Sequence, residues 1–100
     1  MDRQRKETMA AKIAVEKTGN LKFLVRVSEA NSESTHRVTV KQDDYDRLAG
    51  ERVEPEELVR RSFEFLLERE PKESILSCFD LSVISLYFPE YEREIKLKML

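Results

Sequence analysis

Apolar and polar residues alternate with a period of two from Lys12 to Lys41. Ile13 and Val15 stand between Lys12, Ala14 and Glu16. After the turn residues Thr18-Gly19-Asn20, Leu21, Phe23, Val25 and Val27 interleave with Lys22, Leu24, Arg26 and Ser28. Polar residues 29–34 follow, and Thr35-His36-Arg37-Val38-Thr39-Val40-Lys41 alternates again. Successive strand side chains point to opposite faces, so this period belongs to strands with one apolar face. Short strands joined by short polar turns predict an antiparallel meander over residues 12–17, 21–28 and 35–41. Its apolar face is Ile13, Val15, Leu21, Phe23, Val25, Val27, Val38 and Val40, and it requires a cover.

From Asp43 onward the spacing becomes helical. Asp43 or Asp44 can cap a short helix over residues 43–49 that ends at Gly50. The strongest helical signal is PEELVRRSFEFLLERE, residues 55–70. Pro55 suits a first turn, where an N–H has no partner to lose. Glu56 and Glu57 complement the positive end of the helix dipole. Leu58, Val59, Phe63, Leu66 and Leu67 form a broad apolar stripe with Ser62 and Phe65 at its margin. Pro71 stops or restarts this helix. A third helix is expected over residues 72–79, through Ile75, Leu76, Cys78 and Phe79. A fourth is expected over residues 81–98, with Asp80 as its cap and a break near Pro89. The predicted fold is α+β: a three-stranded antiparallel meander followed by about four helices packed on one face.

One hundred residues, 40% hydrophobic and 38% charged, suffice for one domain with one core and exclude a two-domain enzyme. Residues 1–9 read as a mobile polar lead-in and residues 10–100 as the single domain. Cys78 is the only cysteine, so no intrachain disulfide can form. Its apolar neighbourhood predicts a buried thiol in a reducing compartment. Neither a secretory leader nor an apolar run long enough for a membrane is present, and the expected location is cytoplasmic. The net charge of −2 divides unevenly, +4 over residues 1–41 and −6 over residues 42–100. Such asymmetry bears on partners.

Catalytic and metal chemistry find few residues. One histidine, His36, and one cysteine cannot build a zinc cluster, and no cofactor is expected. Asp43-Asp44-Tyr45-Asp46 lacks the alternation of a calcium loop and reads as a solvated helix start. Gly19 and Gly50, the only glycines, cannot form a phosphate-cradling loop. A small enzyme working through Glu90, Glu92 and Glu94 would need those acids in a cleft. Their alternation with Tyr91, Arg93 and Ile95 fits a solvated helix face.

Two surfaces are candidates for binding. If odd residues of 21–27 point inward, Lys12, Lys22, Arg26, Arg37 and Lys41 share an outward sheet face opposed only by Glu16. Such a face can meet phosphates, an acidic partner or a second copy. The other is aromatic. Most of Phe63, Phe65, Phe79, Tyr87, Phe88 and Tyr91 must be core, but Tyr87, Phe88 and Tyr91 straddle Pro89 and form a candidate docking patch.

The run Arg37-Val38-Thr39-Val40-Lys41, then Tyr45, Leu48 and Pro55-Glu56-Glu57-Leu58-Val59-Arg60, resembles ribbon-helix-helix repressors over residues 37–70. The resemblance implies a dimer whose strand residues Arg37, Thr39 and Lys41 read the DNA major groove. From the residues themselves, the expected function is a non-catalytic protein-interaction module. Its partner would be another protein or a second copy, with nucleic acid as the alternative and no membrane association.

Overall fold

A computed structural model describes residues 11–99, so the expectation for residues 1–9 lies outside the described residues. The meander is present as β1 (Lys12–Gly19), β2 (Lys22–Glu29) and β3 (Ser32–Thr39). Then come α1 (Gln42–Leu48), α2 (Pro55–Leu67), a 3-10 turn (Lys72–Ser74), β4 (Cys78–Asp80), α3 (Val83–Tyr87) and α4 (Tyr91–Lys98). The sheet order is β1-β2-β3-β4. The first three strands are antiparallel and β4 lies parallel to β3. The fold is α+β.

The register follows the alternation. Val15 pairs with Val25, Val25 with His36, and Phe23 with Val38. Phe23, Val25, Val27, Val38 and Val40 are buried, while Lys22, Arg26, Arg37 and Thr39 are exposed. In the tight turns Leu21 and Ala30, not Gly19, take positive φ, 56° and 46°. Gly50 does take positive φ, 52°, and ends the first helix as its lack of a Cβ allows. The cap of α1 is Lys41 without a side-chain hydrogen bond, so neither Asp43 nor Asp44 caps it.

Helix α2 is the central beam. Leu58, Val59, Phe63, Phe65 and Leu66 are all buried. Phe63 lies 5.3 Å from the His36 ring and 6.0 Å from Phe79, which seats this side on the sheet. Phe65 meets Tyr91 at 5.2 Å and Phe88 at 5.9 Å on the other side. Ser62, buried between them, donates to Leu58 O at 2.8 Å and lies 2.6 Å from the Tyr91 hydroxyl. The hydroxyls make a polar residue tolerable inside an apolar stripe.

The helix expected over residues 72–79 is absent. Its place is taken by the 3-10 turn and β4. Ile75 and Phe79, four residues apart, mimic a helical stripe, but each is buried from a non-helical backbone. Arg37 N–H donates to Ser77 O at 2.8 Å, and Leu81 N–H donates to Thr39 O at 2.8 Å. The free edge of β3 thus recruits the segment as a strand. Cys78 is exposed as a result, because β4 turns Phe79 inward and its neighbours outward. The expected last helix is two, α3 and α4, separated at Pro89.

Candidate functional site

The end of α2, the connection that follows it, β4 and α3 enclose a groove of about 360 Å³. Its floor is Leu66, Ile75, Phe79 and Ile84, all buried core residues. Its rim includes Leu76 and Tyr87, which are 47% and 66% exposed. Single exposed apolar residues are ordinary, but two large ones bordering a concave apolar floor form a contiguous patch. Leu86, also on α3, is 80% exposed but does not line the groove.

One acid belongs to this groove. Glu70 lines it just beyond the C-terminus of α2. Burial pushes its carboxyl above the ordinary glutamate value. Among the described residues no cation pairs with it. The neighbouring Arg69 is occupied elsewhere: its Nε donates to Glu90 at 2.9 Å and its guanidinium stacks 3.6 Å from the Phe65 ring centroid. The groove therefore offers an apolar surface with one carboxylate, a combination suited to an apolar group bearing a cation.

The expected aromatic patch is divided by the structure. Tyr87 is exposed, Phe88 is half-buried, and both line the groove. Tyr91 does not join them. It is buried against Phe65 and bonded to Ser62, and burial pushes its phenol far above the ordinary value. The break at Pro89 turns α4 back onto α2, which takes Tyr91 inward. Leu76 and Glu70 were missed in the sequence. The sequence pattern puts Leu76 in a helix that does not form and makes Glu70 only the last residue of another.

The basic residues Lys12, Lys22, Arg26, Arg37 and Lys41 do lie exposed on the open side of the sheet. The face is more mixed than expected. Arg26 pairs with Glu16 at 3.6 Å and Lys41 with Asp80 at 3.1 Å, and the register adds Glu33 opposite Ser28. Asp80 reaches this face only because β4 is a strand. Burial alone would push its carboxyl up. Hydrogen bonds from Thr39 (2.7 Å), the Ser82 hydroxyl (2.7 Å) and backbone N–H (3.1 Å), and Lys41 (3.1 Å) outweigh that and hold it down to about 2. The intended helix cap is thus a staple between β3, β4 and α3.

The remaining chemical candidates are engaged structurally. His36 is buried, with Nδ1 2.8 Å from Leu76 O and Nε2 2.8 Å from Ser34 Oγ. A carbonyl only accepts, so Nδ1 carries the proton and the ring ties β3 to the approach to β4. Glu90 pairs with Arg69, Glu92 with Arg47 at 2.6 Å, and Glu94 with Arg93 at 3.8 Å. Among the described residues no three His, Cys, Asp or Glu side chains cluster to hold a metal, and no helix is long and apolar enough to cross a membrane. The strand that the ribbon-helix-helix resemblance assigned to a dimer ribbon is β3, which is paired on both sides, by β2 and β4. It has no free edge for a second chain.

No protein-family model, curated protein or solved structure matches the chain.

Proposed function

We propose that this protein is a non-catalytic binding module whose groove between α2, β4 and α3 takes a peptide segment of a protein partner. The segment presents bulky apolar side chains to Leu66, Phe79, Leu76 and Tyr87 and a lysine or arginine to Glu70. The observation that carries this reading is the apolar groove of about 360 Å³ with a single carboxylate at its wall that no cation pairs among the described residues. A cation there would recover the interaction that Glu70 lacks within the described chain, and pairing would offset the cost of its partial burial.

A random-peptide library displayed on phage and panned against the full chain tests it. Enriched peptides should combine bulky apolar residues with a lysine or arginine. Tyr87→Ala should weaken their binding by about tenfold, in keeping with loss of an aromatic contact. Glu70→Gln should remove the preference for the basic residue and leave apolar binding. Both variants should unfold at the wild-type temperature, since both side chains border solvent. Absence of enrichment, or enriched peptides that bind the variants equally, rejects the reading.

A further inference from the structure

The opposite edge of the sheet presents a different surface. Among the described residues, strand β1, eight residues long, is paired on one side only, with β2. The ladder hydrogen bonds fix the direction of its free backbone groups. Val40 N–H donates to Leu21 O, whereas Arg37 N–H and Thr39 O bond toward β4. Even residues of β3 therefore bond β2, and odd ones bond β4. Carried through the antiparallel registers, odd residues of β2 bond β3 and even ones bond β1. Lys12, Ala14 and Glu16 then bond β2, and the N–H and C=O groups of Ile13 and Val15 point out of the sheet. Their side chains lie on the core face and are only half-buried.

We infer that β1 is a self-association edge that pairs antiparallel with β1 of a second copy about a two-fold axis at Ala14. In that register Ile13 faces Val15 of the second copy on the core side, and their outward backbone groups bond each other. On the open side Lys12 faces Glu16 of the second copy, and Ala14 faces Ala14. A two-fold interface repeats each contact, giving two apolar pairs and two ion pairs. Sliding by two residues sets Lys12 against Ala14, or Ala14 against Glu16, and loses both ion pairs. Sliding by one sets core-facing side chains against open-face ones. Charge and apolar patterns thus agree on one register. Lysines on an edge ordinarily discourage pairing, but Lys12 has its complement four residues along the same strand. The result is one eight-stranded sheet. This inference does not depend on the groove.

Sedimentation equilibrium of the full chain from micromolar to millimolar concentration, with far-UV circular dichroism to confirm folding, tests it. The wild type should dimerise reversibly. Lys12→Glu alone, or Glu16→Lys alone, sets like charges opposite each other twice and should weaken the dimer by about tenfold. An equimolar mixture of the two variants should restore association, since each then meets its complement. The double variant should also restore it. A chain that stays monomeric throughout overturns the inference. So does a dimer indifferent to the single changes, or single changes that neither the mixture nor the double variant repairs.

Discussion

Asp80 shows how one side chain can define a junction that its sequence neighbours do not announce. Its carboxylate joins Thr39 and Lys41 on the end of β3 to Ser82 at the start of α3. The folded protein holds this carboxyl down to about 2, below the ordinary aspartate value of 3.8. A depressed acid stabilises the fold fully above its unfolded value, and that contribution is lost as pH falls through the folded one. The loss therefore falls between about pH 4 and pH 2. The side chain is about a quarter exposed (23%), so solvent screening reduces the effect to about 1 kcal/mol. Urea unfolding at a series of pH values should show Asp80→Asn less stable by that amount at pH 7. The variant and the wild type should converge as pH falls to 2. A constant difference across this range would assign the effect to something other than the charge.

Among the elements, α2 carries the core, and its two faces differ in how far they can relax. Leu58 is fully enclosed between sheet and helices, whereas Leu66 forms part of the groove floor and has solvent beyond it. Truncating a buried leucine costs about 2–5 kcal/mol, more where the surroundings cannot collapse. Leu58→Ala should therefore lie near the upper end and Leu66→Ala near the lower, by chemical denaturation. Equal losses would mean that the groove floor is as rigid as the core. The α2 stripe and the three β-strands were legible in the sequence because each repeats one period over many residues. The positions of Phe23, Val25 and Phe63 follow from that repeat alone. The segment 72–80 was not legible. Three residues of strand have no periodicity of their own, and what makes them a strand is the unpaired edge of β3, far away in the chain. The groove inherits this limit. Tyr87 and Phe88 could be nominated from their place beside Pro89, but Leu76 and Glu70 join them only once β4 exists. Tyr91 was misplaced for the same kind of reason, since its burial depends on Phe65 and Ser62 in another helix.

At the scale of the whole molecule, the two proposed surfaces lie at opposite edges of one sheet, the groove beside β4 and the pairing edge at β1. A dimer through β1 would place the β4 strands of the two copies at the outer ends of eight strands. Seven steps of about 4.8 Å separate them by roughly 34 Å along the sheet. Two grooves at that spacing can be bridged by one ligand. A flexible Gly/Ser linker reaches about 34 Å at roughly 40 residues, whereas five residues extend to only about 18 Å. Two copies of a groove-binding peptide joined by the long linker should bind the wild type about 10²-fold more tightly than the single peptide. The short linker should give little gain. In Lys12→Glu, studied below the concentration at which it associates, the gain of the long linker should vanish while the single peptide binds as before. Because Lys12 is far from the groove, that loss would come from separating the two sites and not from altering either. A long-linker gain that survives in the monomeric variant would show that both peptide copies engage a single chain, and that the groove is not the only place where the peptide binds.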